Sequence, residues 1–292
     1  MSPVTGKVKG KTIFETAFLI FLALVCYALL LVSCENKIIY HPYKHPDGFW
    51  EPESYGLKVE DIFFESGDGV KLHGWYVPAE DPVATLLWFH GNAGNLTHRL
   101  DNILELRPLK LNIFIFDYRG YGRSEGKPDQ PGLYLDSQAA YDTLVRVKKV
   151  SPESLFLFGR SLGGVCALEV ASKNPVAGLI LESTFTSAKD MADTIFPFFP
   201  LKFLIKSKYD ALGQVSSVKI PKLFLHGTED EIVPYKMGRK LYEAAAGPKE
   251  FYDIQGAGHN DTWQTGGKAY FDTIERFIHQ NIKKETLLEE KS

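Results

Sequence analysis

The sequence predicts an α/β fold with a mostly parallel sheet of eight strands, helices on both faces and a small cap. Two observations carry this prediction: short, nearly continuous apolar runs recur along the chain, and helix-length stretches lie between them. A strand that is apolar at every position is typical of a parallel sheet buried on both faces. The composition, 45% hydrophobic and 24% charged over 292 residues, is that of a globular protein. The formal net charge of −3 provides no basic excess, so we expect no nucleic-acid partner.

The N-terminal 34 residues are set apart by an apolar run from Ala17 to Val32 that follows three lysines within residues 7–11. With Ile13 and Phe14 the run reaches about 20 residues, between the lengths of a secretory signal and a membrane-spanning helix. It is apolar all round, which argues against a core helix of a soluble domain. We predict a membrane attachment through this segment, with the catalytic domain on the extracytoplasmic side because the lysines stay inside.

The end of this run, Leu31-Val32-Ser33-Cys34, resembles the bacterial lipobox, in which the cysteine is lipidated. Two readings therefore stay open: an uncleaved membrane anchor, or a lipoprotein signal that ends at an acylated Cys34. Both leave the protein on a membrane.

Residues 35–58 are rich in prolines and aromatic residues and are predicted to be an extended arm, and residues 59–282 form the domain. Val59–Ser66 and Val70–Val77 flank Asp68-Gly69, which is the signal of a β-hairpin. Six further strands are predicted at Thr85–Phe89, Asn112–Phe116, Leu155–Phe158, Gly178–Leu181, Leu223–Leu225 and Phe251–Ile254. Helices are predicted at about 132–149, 162–173, 234–246 and 266–281. The last ten residues, 283–292, form a charged tail.

One strand runs into Gly159-Arg160-Ser161-Leu162-Gly163, followed by a helical stretch. This is the G-x-S-x-G nucleophile elbow, in which a tight strand-to-helix turn presents the serine hydroxyl. The pattern alone is short, but the strand before it and the helix after it make it specific. Ser161 is the predicted nucleophile.

A nucleophilic serine needs a base and an acid that orients the base, and in this arrangement they follow in the order acid, then histidine. Asp230 lies in a loop just past a predicted strand, and His259 lies in a glycine-rich turn after the last strand. We predict His259 as the base and Asp230 as the acid. The rival acids are Glu229 and Glu231 beside Asp230, and Glu182 at the end of another strand.

Acyl transfer also needs two N–H donors for the oxyanion. The residue after the nucleophile, Leu162, supplies one. The second is expected from the loop His90–Asn95, with the Asn92 amide first and Ala93 second. Cys166 is the one thiol after residue 34, and neither a disulfide nor a metal site is expected, so the prediction includes no metal and no cofactor.

Five stretches together resemble an α/β-hydrolase: His90–Asn95, Asp117–Ser124, Gly159–Gly163, His226–Pro234 and Gly256–Asp261. The resemblance covers about residues 59–281. Within that fold, the sequence is similar to membrane-associated, depalmitoylase-like and serine aminopeptidase-like members. It implies Ser161, Asp230 and His259 as the catalytic triad. The cysteine cluster of the depalmitoylase-like members is absent, and an apolar N-terminal segment stands in its place.

The expected activity is hydrolysis of an ester or thioester, with a small-molecule or acylated substrate as partner. Residues 184–212 contain several phenylalanines and few acids, and they are predicted to form a small cap that contacts an acyl chain through Phe196, Phe198 and Phe199. A serine peptidase of the aminopeptidase kind is the alternative enzyme. A binding-only member of the fold is the alternative outside catalysis, and it would be expected to have lost a triad position.

Overall fold

The computed structural model describes residues 5–197 and 201–282. Its strands in this part of the chain are β1 (His41–Pro42), β2 (Glu60–Glu65), β3 (Lys71–Val77), β4 (Ala84–Phe89), β5 (Ala93–Gly94), β6 (Leu111–Asp117), β7 (Leu155–Arg160), β8 (Gly178–Glu182), β9 (Lys222–Gly227) and β10 (Lys249–Ile254). Eight of them form one sheet in the order β10-β9-β8-β7-β4-β6-β3-β2. All neighbours are parallel except β3, which runs antiparallel to β2 and to β6. The predicted mostly parallel sheet of eight strands is therefore confirmed.

The described helices are α1 (Thr5–Ser33), α2 (Glu35–Ile39), α3 (Leu100–Leu106), α4 (Gln130–Asp142), α5 (Leu162–Lys173), α6 (Ala188–Ile195), α7 (Ala211–Val215), α8 (Tyr235–Ala244) and α9 (Thr262–Asn281). They cover both faces of the sheet. Every residue of β4 is buried, and its side chains alternate between two hydrophobic cores. Leu87 and Phe89 belong to the core shared with α5, whereas Leu86 and Trp88 belong to the core shared with α9.

The boundaries of two predicted helices need correction, and the short helix α3 is absent from the prediction. The helix predicted over 132–149 begins at Gln130, where Asp129 caps it, and continues after Asp142 as a turn of π-helix over Thr143–Val147. The last helix begins at Thr262 rather than 266, with a backbone break at Gly267, so the glycine pair interrupts the helix instead of delaying it. Helix α3 was not predicted, because seven residues are too few to show a clear helical period.

The segment after α1 also differs from the predicted extended arm, since it starts with the short helix α2. The chain then forms the strand β1, which pairs in parallel with β5. This pairing places the arm against the loop that follows β4. That loop is one of those predicted to build the active site.

The apolar part of α1, Ile13–Ser33, is long and apolar enough to cross a membrane by length and composition. Its 21 residues correspond to roughly 30 Å of helix, about the thickness of the hydrocarbon core. None of these residues is buried against the rest of the protein.

Candidate active site

Ser161 lies between β7 and α5, in the sharp turn that the motif predicts. Its backbone φ of 53° and ψ of −118° place it in the left-handed half of conformational space, which is strained for a residue with a side chain. The Ser161 amide donates to the Glu182 carbonyl at 2.8 Å, which holds the turn against β8. A Cβ atom on Gly163 would lie 2.0 Å from the Phe89 carbonyl oxygen, so the close approach of α5 to β4 requires glycine there.

Asp230 and His259 come together as the sequence predicts. The Oδ2 atom of Asp230 accepts a hydrogen bond from Nδ1 of His259 at 2.9 Å, although 29 residues separate them. This contact assigns the proton to Nδ1 and leaves Nε2 as the basic nitrogen. The Nε2 atom of His259 makes no hydrogen bond within residues 5–197 and 201–282, so it is available to a hydroxyl in the cavity.

The carboxylate of Asp230 is held on both oxygens. Its Oδ1 accepts hydrogen bonds from the amides of Ile232 at 3.0 Å and Val233 at 2.7 Å. Burial by itself raises the pKa of Asp230, but the neighbouring imidazoles of His226, at 3.4 Å, and His259, at 2.9 Å, outweigh it and leave that pKa below its ordinary value. Asp230 is therefore ionised at neutral pH, as a residue that fixes the imidazole must be.

Two of the three rival acids, Glu182 and Glu231, are occupied elsewhere. Glu182 is fully buried and accepts hydrogen bonds from Arg160 Nε at 3.0 Å, Thr262 Oγ1 at 2.7 Å and Tyr270 OH at 2.5 Å. The exposed Glu231 accepts from the backbone amide of His259 at 3.1 Å, which positions the loop rather than the ring. Of the four predicted candidates, only Asp230 hydrogen-bonds to the His259 ring among the described residues.

The two predicted oxyanion donors lie beside Ser161. Leu162 is the first residue of α5, where the amide has no acceptor within the helix and the helix dipole favours negative charge. Asn92 is fixed by three bonds: its Nδ2 donates to the Ile39 carbonyl at 2.8 Å, and its own carbonyl accepts from the His41 amide at 3.0 Å and from Tyr121 OH at 2.7 Å. Neither the Asn92 nor the Leu162 amide finds an acceptor in the described part of the chain. Both are thus free to bind an oxyanion.

Arg160 is a site residue that the sequence analysis missed. Besides its bond to Glu182, its guanidinium donates to the His259 carbonyl oxygen and, at 3.1 Å, to Asn260 Oδ1. It ties the elbow to the histidine loop across about a hundred residues of sequence. The motif leaves this position unconstrained, so no sequence signal distinguishes it.

Two cavities meet at Ser161. The first, called here the apolar cavity, has a volume of about 280 Å³. Its walls come from the end of α1, from α2 and from α6, and they include Leu31, Val32, Ile39, Met191, Ile195 and Phe196. The second, called here the polar cavity, has a volume of about 300 Å³ and includes Tyr43, His98, Arg99, Arg160, His259 and Asn260. Ser161 and Asn92 line both cavities.

The remaining predicted residues fall in different places. Phe196 is half-buried in the wall of the apolar cavity, whereas Phe198 and Phe199 lie outside the described residues. Cys34 is half-buried at the junction of α1 and α2. Cys166 is buried in α5, and burial raises the pKa of its thiol to about 12, which keeps it protonated. Among residues 5–197 and 201–282, no group of three or more His, Cys, Asp or Glu side chains is arranged to hold a metal ion.

Comparison with known proteins assigns the chain to a family. A profile of the alpha/beta hydrolase fold matches residues 84–208. The alpha/beta hydrolase domain-containing protein WAV2 of Arabidopsis thaliana is 36% identical over 288 residues, covering 88% of this chain and 92% of that protein. The chain belongs to the α/β-hydrolase family. The protein bem46 of Schizosaccharomyces pombe is 36% identical over 276 residues, which cover 89% of this α/β-hydrolase and 91% of the relative.

Solved structures agree on the fold of this α/β-hydrolase. The esterase Pf2001 of Pyrococcus furiosus superposes with a TM-score of 0.71 at 20% identity, covering 84% of this chain and 99% of the esterase. An acetyl xylan esterase from Paenibacillus sp. R4 gives a TM-score of 0.62 at 18% identity, covering 86% and 99% of the two chains. At these identities the likeness concerns the fold alone.

Proposed function

We propose that this α/β-hydrolase is a serine hydrolase that cleaves an ester or thioester of an apolar acyl chain through an acyl-serine intermediate. The observation that carries the proposal is the position of Ser161. It lies on a strained elbow where the apolar and polar cavities meet, and His259, which is hydrogen-bonded to Asp230, lines the polar cavity with it. An acyl chain in the apolar cavity would place its carbonyl carbon at the serine. The two solved esterases with the same fold are consistent with this chemistry.

In the proposed mechanism, Ser161 Oγ attacks the acyl carbonyl while Nε2 of His259 takes the hydroxyl proton. Asp230 stabilises the imidazolium through Nδ1, and the amides of Leu162 and Asn92 receive the oxyanion. The tetrahedral intermediate collapses, the bond to the leaving oxygen or sulfur breaks, and His259 returns the proton to that atom. A water molecule then repeats the sequence and releases the acid.

The peptidase alternative is disfavoured by the charges around the site. An aminopeptidase needs a free carboxylate near the serine to hold the substrate ammonium. Glu182 is enclosed by three partners, and Glu231 contacts the His259 amide. Glu35 lines the apolar cavity, but its two oxygens accept the amides of Lys206 and Ser207. The described lining of the polar cavity contains two arginines and no acid. A binding-only role is disfavoured because no triad position is lost.

We also propose that α1 attaches the protein to a membrane, with the catalytic domain outside the cytosol. Leu31 and Val32 at the end of α1 line the apolar cavity. Glu35 in α2 accepts the amides of Lys206 at 2.9 Å and Ser207 at 2.8 Å, so this region is joined to the cap. Cleavage before Cys34 would remove Leu31 and Val32 from the wall of the acyl site, which favours the uncleaved anchor over lipoprotein processing.

The nucleophile is tested with a fluorophosphonate probe and with p-nitrophenyl esters on the full-length protein in detergent. We expect covalent labelling and ester turnover, and a loss of about 10⁴- to 10⁶-fold in kcat for Ser161→Ala. An Ala substitution at Ser183, outside the elbow, is the matched control for labelling. Full activity of Ser161→Ala, or labelling at another residue, would refute the assignment. Efficient turnover of aminoacyl p-nitroanilides would favour the peptidase alternative, provided that blocking the α-amine of the substrate abolishes that turnover.

A further inference from the structure

The polar cavity adjoins the apolar cavity at Ser161, and its described lining is basic. Arg99, Arg160, His98 and His259 contribute to it, and no carboxylate does. We consider an acyl chain bound in the apolar cavity. The alcohol or thiol part of the substrate, which is the leaving group that His259 protonates, then faces this basic lining.

The guanidinium groups of Arg99 and Arg160 differ in how many hydrogen-bond partners they have. Arg160 is committed to Glu182, to the His259 carbonyl and to Asn260. Arg99 donates through Nη2 to the Ala93 carbonyl at 2.7 Å, whereas its Nε is buried without a hydrogen-bond partner among the described residues. No ion pair of Arg99 is present in the part of the chain that the structure describes.

Arg99 nevertheless carries a full charge. Burial first, and then repulsion from Arg160, lowers the pKa of Arg99 to about 10, which still leaves the guanidinium protonated at neutral pH. The carboxylates of Asp117 and Glu182 offset part of this shift in pKa, but neither forms a direct ion pair with Arg99 among the described residues. A half-buried cation without a direct ion pair is costly, and it favours an anion supplied by a ligand. The guanidinium geometry suits the paired oxygens of a phosphate or carboxylate.

We propose that the polar cavity binds an anionic oxygen group of the leaving part of the substrate, and that Arg99 is its specificity-determining residue. The substrate is then an ester or thioester that joins an apolar acyl chain to an alcohol or thiol bearing a phosphate or carboxylate. This inference rests on the proposed function, because it assigns the acyl chain to the apolar cavity. No new reaction step is added: His259 protonates the leaving oxygen or sulfur, and the anionic product departs from the polar cavity.

The kinetic test uses four substrates with the same dodecanoyl chain and the full-length protein in nonionic detergent. They are the ester of glycerol 3-phosphate, the ester of glycerate, the neutral monoester of glycerol and the cationic ester of choline. We expect kcat/KM to be higher for the two anionic esters than for the neutral ester, and lowest for the choline ester. The phosphate and carboxylate esters distinguish which anion the cavity prefers.

The decisive variant is Arg99→Gln. We expect it to lower kcat/KM on the anionic esters about 10- to 100-fold, as the loss of a charge-assisted hydrogen bond does. The neutral ester should change less than about threefold. Arg146→Gln is the matched control, because Arg146 lies on the surface and pairs only weakly with Asp142 at 3.5 Å. Equal losses on anionic and neutral esters would mean that Arg99 only supports the Ala93 loop, and the inference would be wrong.

A binding measurement separates this inference from the proposed function. Glycerol 3-phosphate and glycerate are titrated by calorimetry into the Ser161→Ala protein, which removes the proposed nucleophile but keeps both cavities. We expect a dissociation constant in the millimolar range or below for the Ser161→Ala protein. Binding should be lost in the double variant with Arg99→Gln and kept in the double variant with Arg146→Gln. No binding of either anion overturns the anionic site even if the protein is an active esterase. Binding with unchanged turnover by Ser161→Ala would instead overturn the proposed nucleophile and leave the anionic site in place.

Discussion

At the residue scale, Asp230 is held by two backbone amides on one oxygen and by the His259 ring on the other. Asp230→Asn keeps the shape but presents an amide that favours the wrong imidazole tautomer. We expect kcat for ester hydrolysis to fall about 10⁴-fold while circular dichroism shows an intact fold. Glu182→Gln serves as the comparison. Normal turnover by Asp230→Asn together with an inactive but folded Glu182→Gln would transfer the role of acid to Glu182.

The lowered pKa of Asp230 also predicts how stability depends on pH. Because the folded-state pKa lies below the unfolded-state value of about 3.9, the folded protein prefers the ionised carboxylate. This preference stabilises the fold above about pH 4 and is lost as the pH falls through the folded-state pKa. We expect the difference in free energy of unfolding between wild type and Asp230→Asn to shrink as the pH is lowered below 4. Denaturant titrations at several pH values measure it, and a difference that grows on acidification would contradict the assignment.

At the scale of elements, the elbow depends on the close approach of α5 to β4. A methyl group at Gly163 would meet the Phe89 carbonyl, which belongs to backbone that cannot move without disturbing the sheet. We expect Gly163→Ala to lower the free energy of unfolding by at least about 2 kcal/mol and to abolish activity.

The control for this substitution is Gly67→Ala in the turn between β2 and β3. A Cβ atom there would meet only Leu135 at an ordinary 3.7 Å, and the residue is exposed. Its stability in thermal and urea unfolding should stay close to that of wild type. A Gly163→Ala protein as stable as the control would mean that the elbow tolerates a wider spacing of α5 and β4.

At the scale of the whole molecule, α1 is both the proposed anchor and part of the acyl site. We expect the full-length protein in the membrane fraction, with Met1 at the mature N-terminus rather than an acylated Cys34. Fractionation and mass spectrometry decide this. Recovery of full-length protein without detergent would contradict the proposed attachment.

Two truncations separate the anchor from the cavity wall. Removing residues 1–30 keeps Leu31 and Val32, whereas removing residues 1–34 deletes both. Each should release a soluble hydrolase, but the longer deletion should lower the ratio of kcat/KM for dodecanoyl over butanoyl esters. Burial of each CH₂ is worth about 0.8 kcal/mol, so even a partial loss of the wall is measurable. Equal ratios for the two truncations would exclude α1 from the acyl site.

The sheet and the order of the functional loops along it could be predicted from the amino-acid sequence. Apolar runs mark β4, β7 and β9 because strands buried on both faces are apolar at nearly every position. The residues predicted for the site follow the carboxyl ends of such strands, and a parallel sheet brings those ends to one edge. The proximity of Asp230 to His259 could thus be predicted, while the catalytic role of Ser161 stays a prediction for the probe to test.

The residues that surround this edge of the sheet could not be predicted, because they are brought together by packing between distant segments. The bond from Arg160 to the His259 carbonyl and the contribution of Leu31 to the apolar cavity join residues far apart in the sequence. The Nε of Arg99, which is buried without a partner among the described residues, likewise depends on this packing. Local periodicity carries no information about such contacts, because they depend on how loops pack against one another rather than on any repeating pattern. The early start of α9 was missed because the glycine pair at 266–267, with its backbone break at Gly267, hides the continuation of the helix back to Thr262. Helix α3 was missed because seven residues are too few to show a helical period.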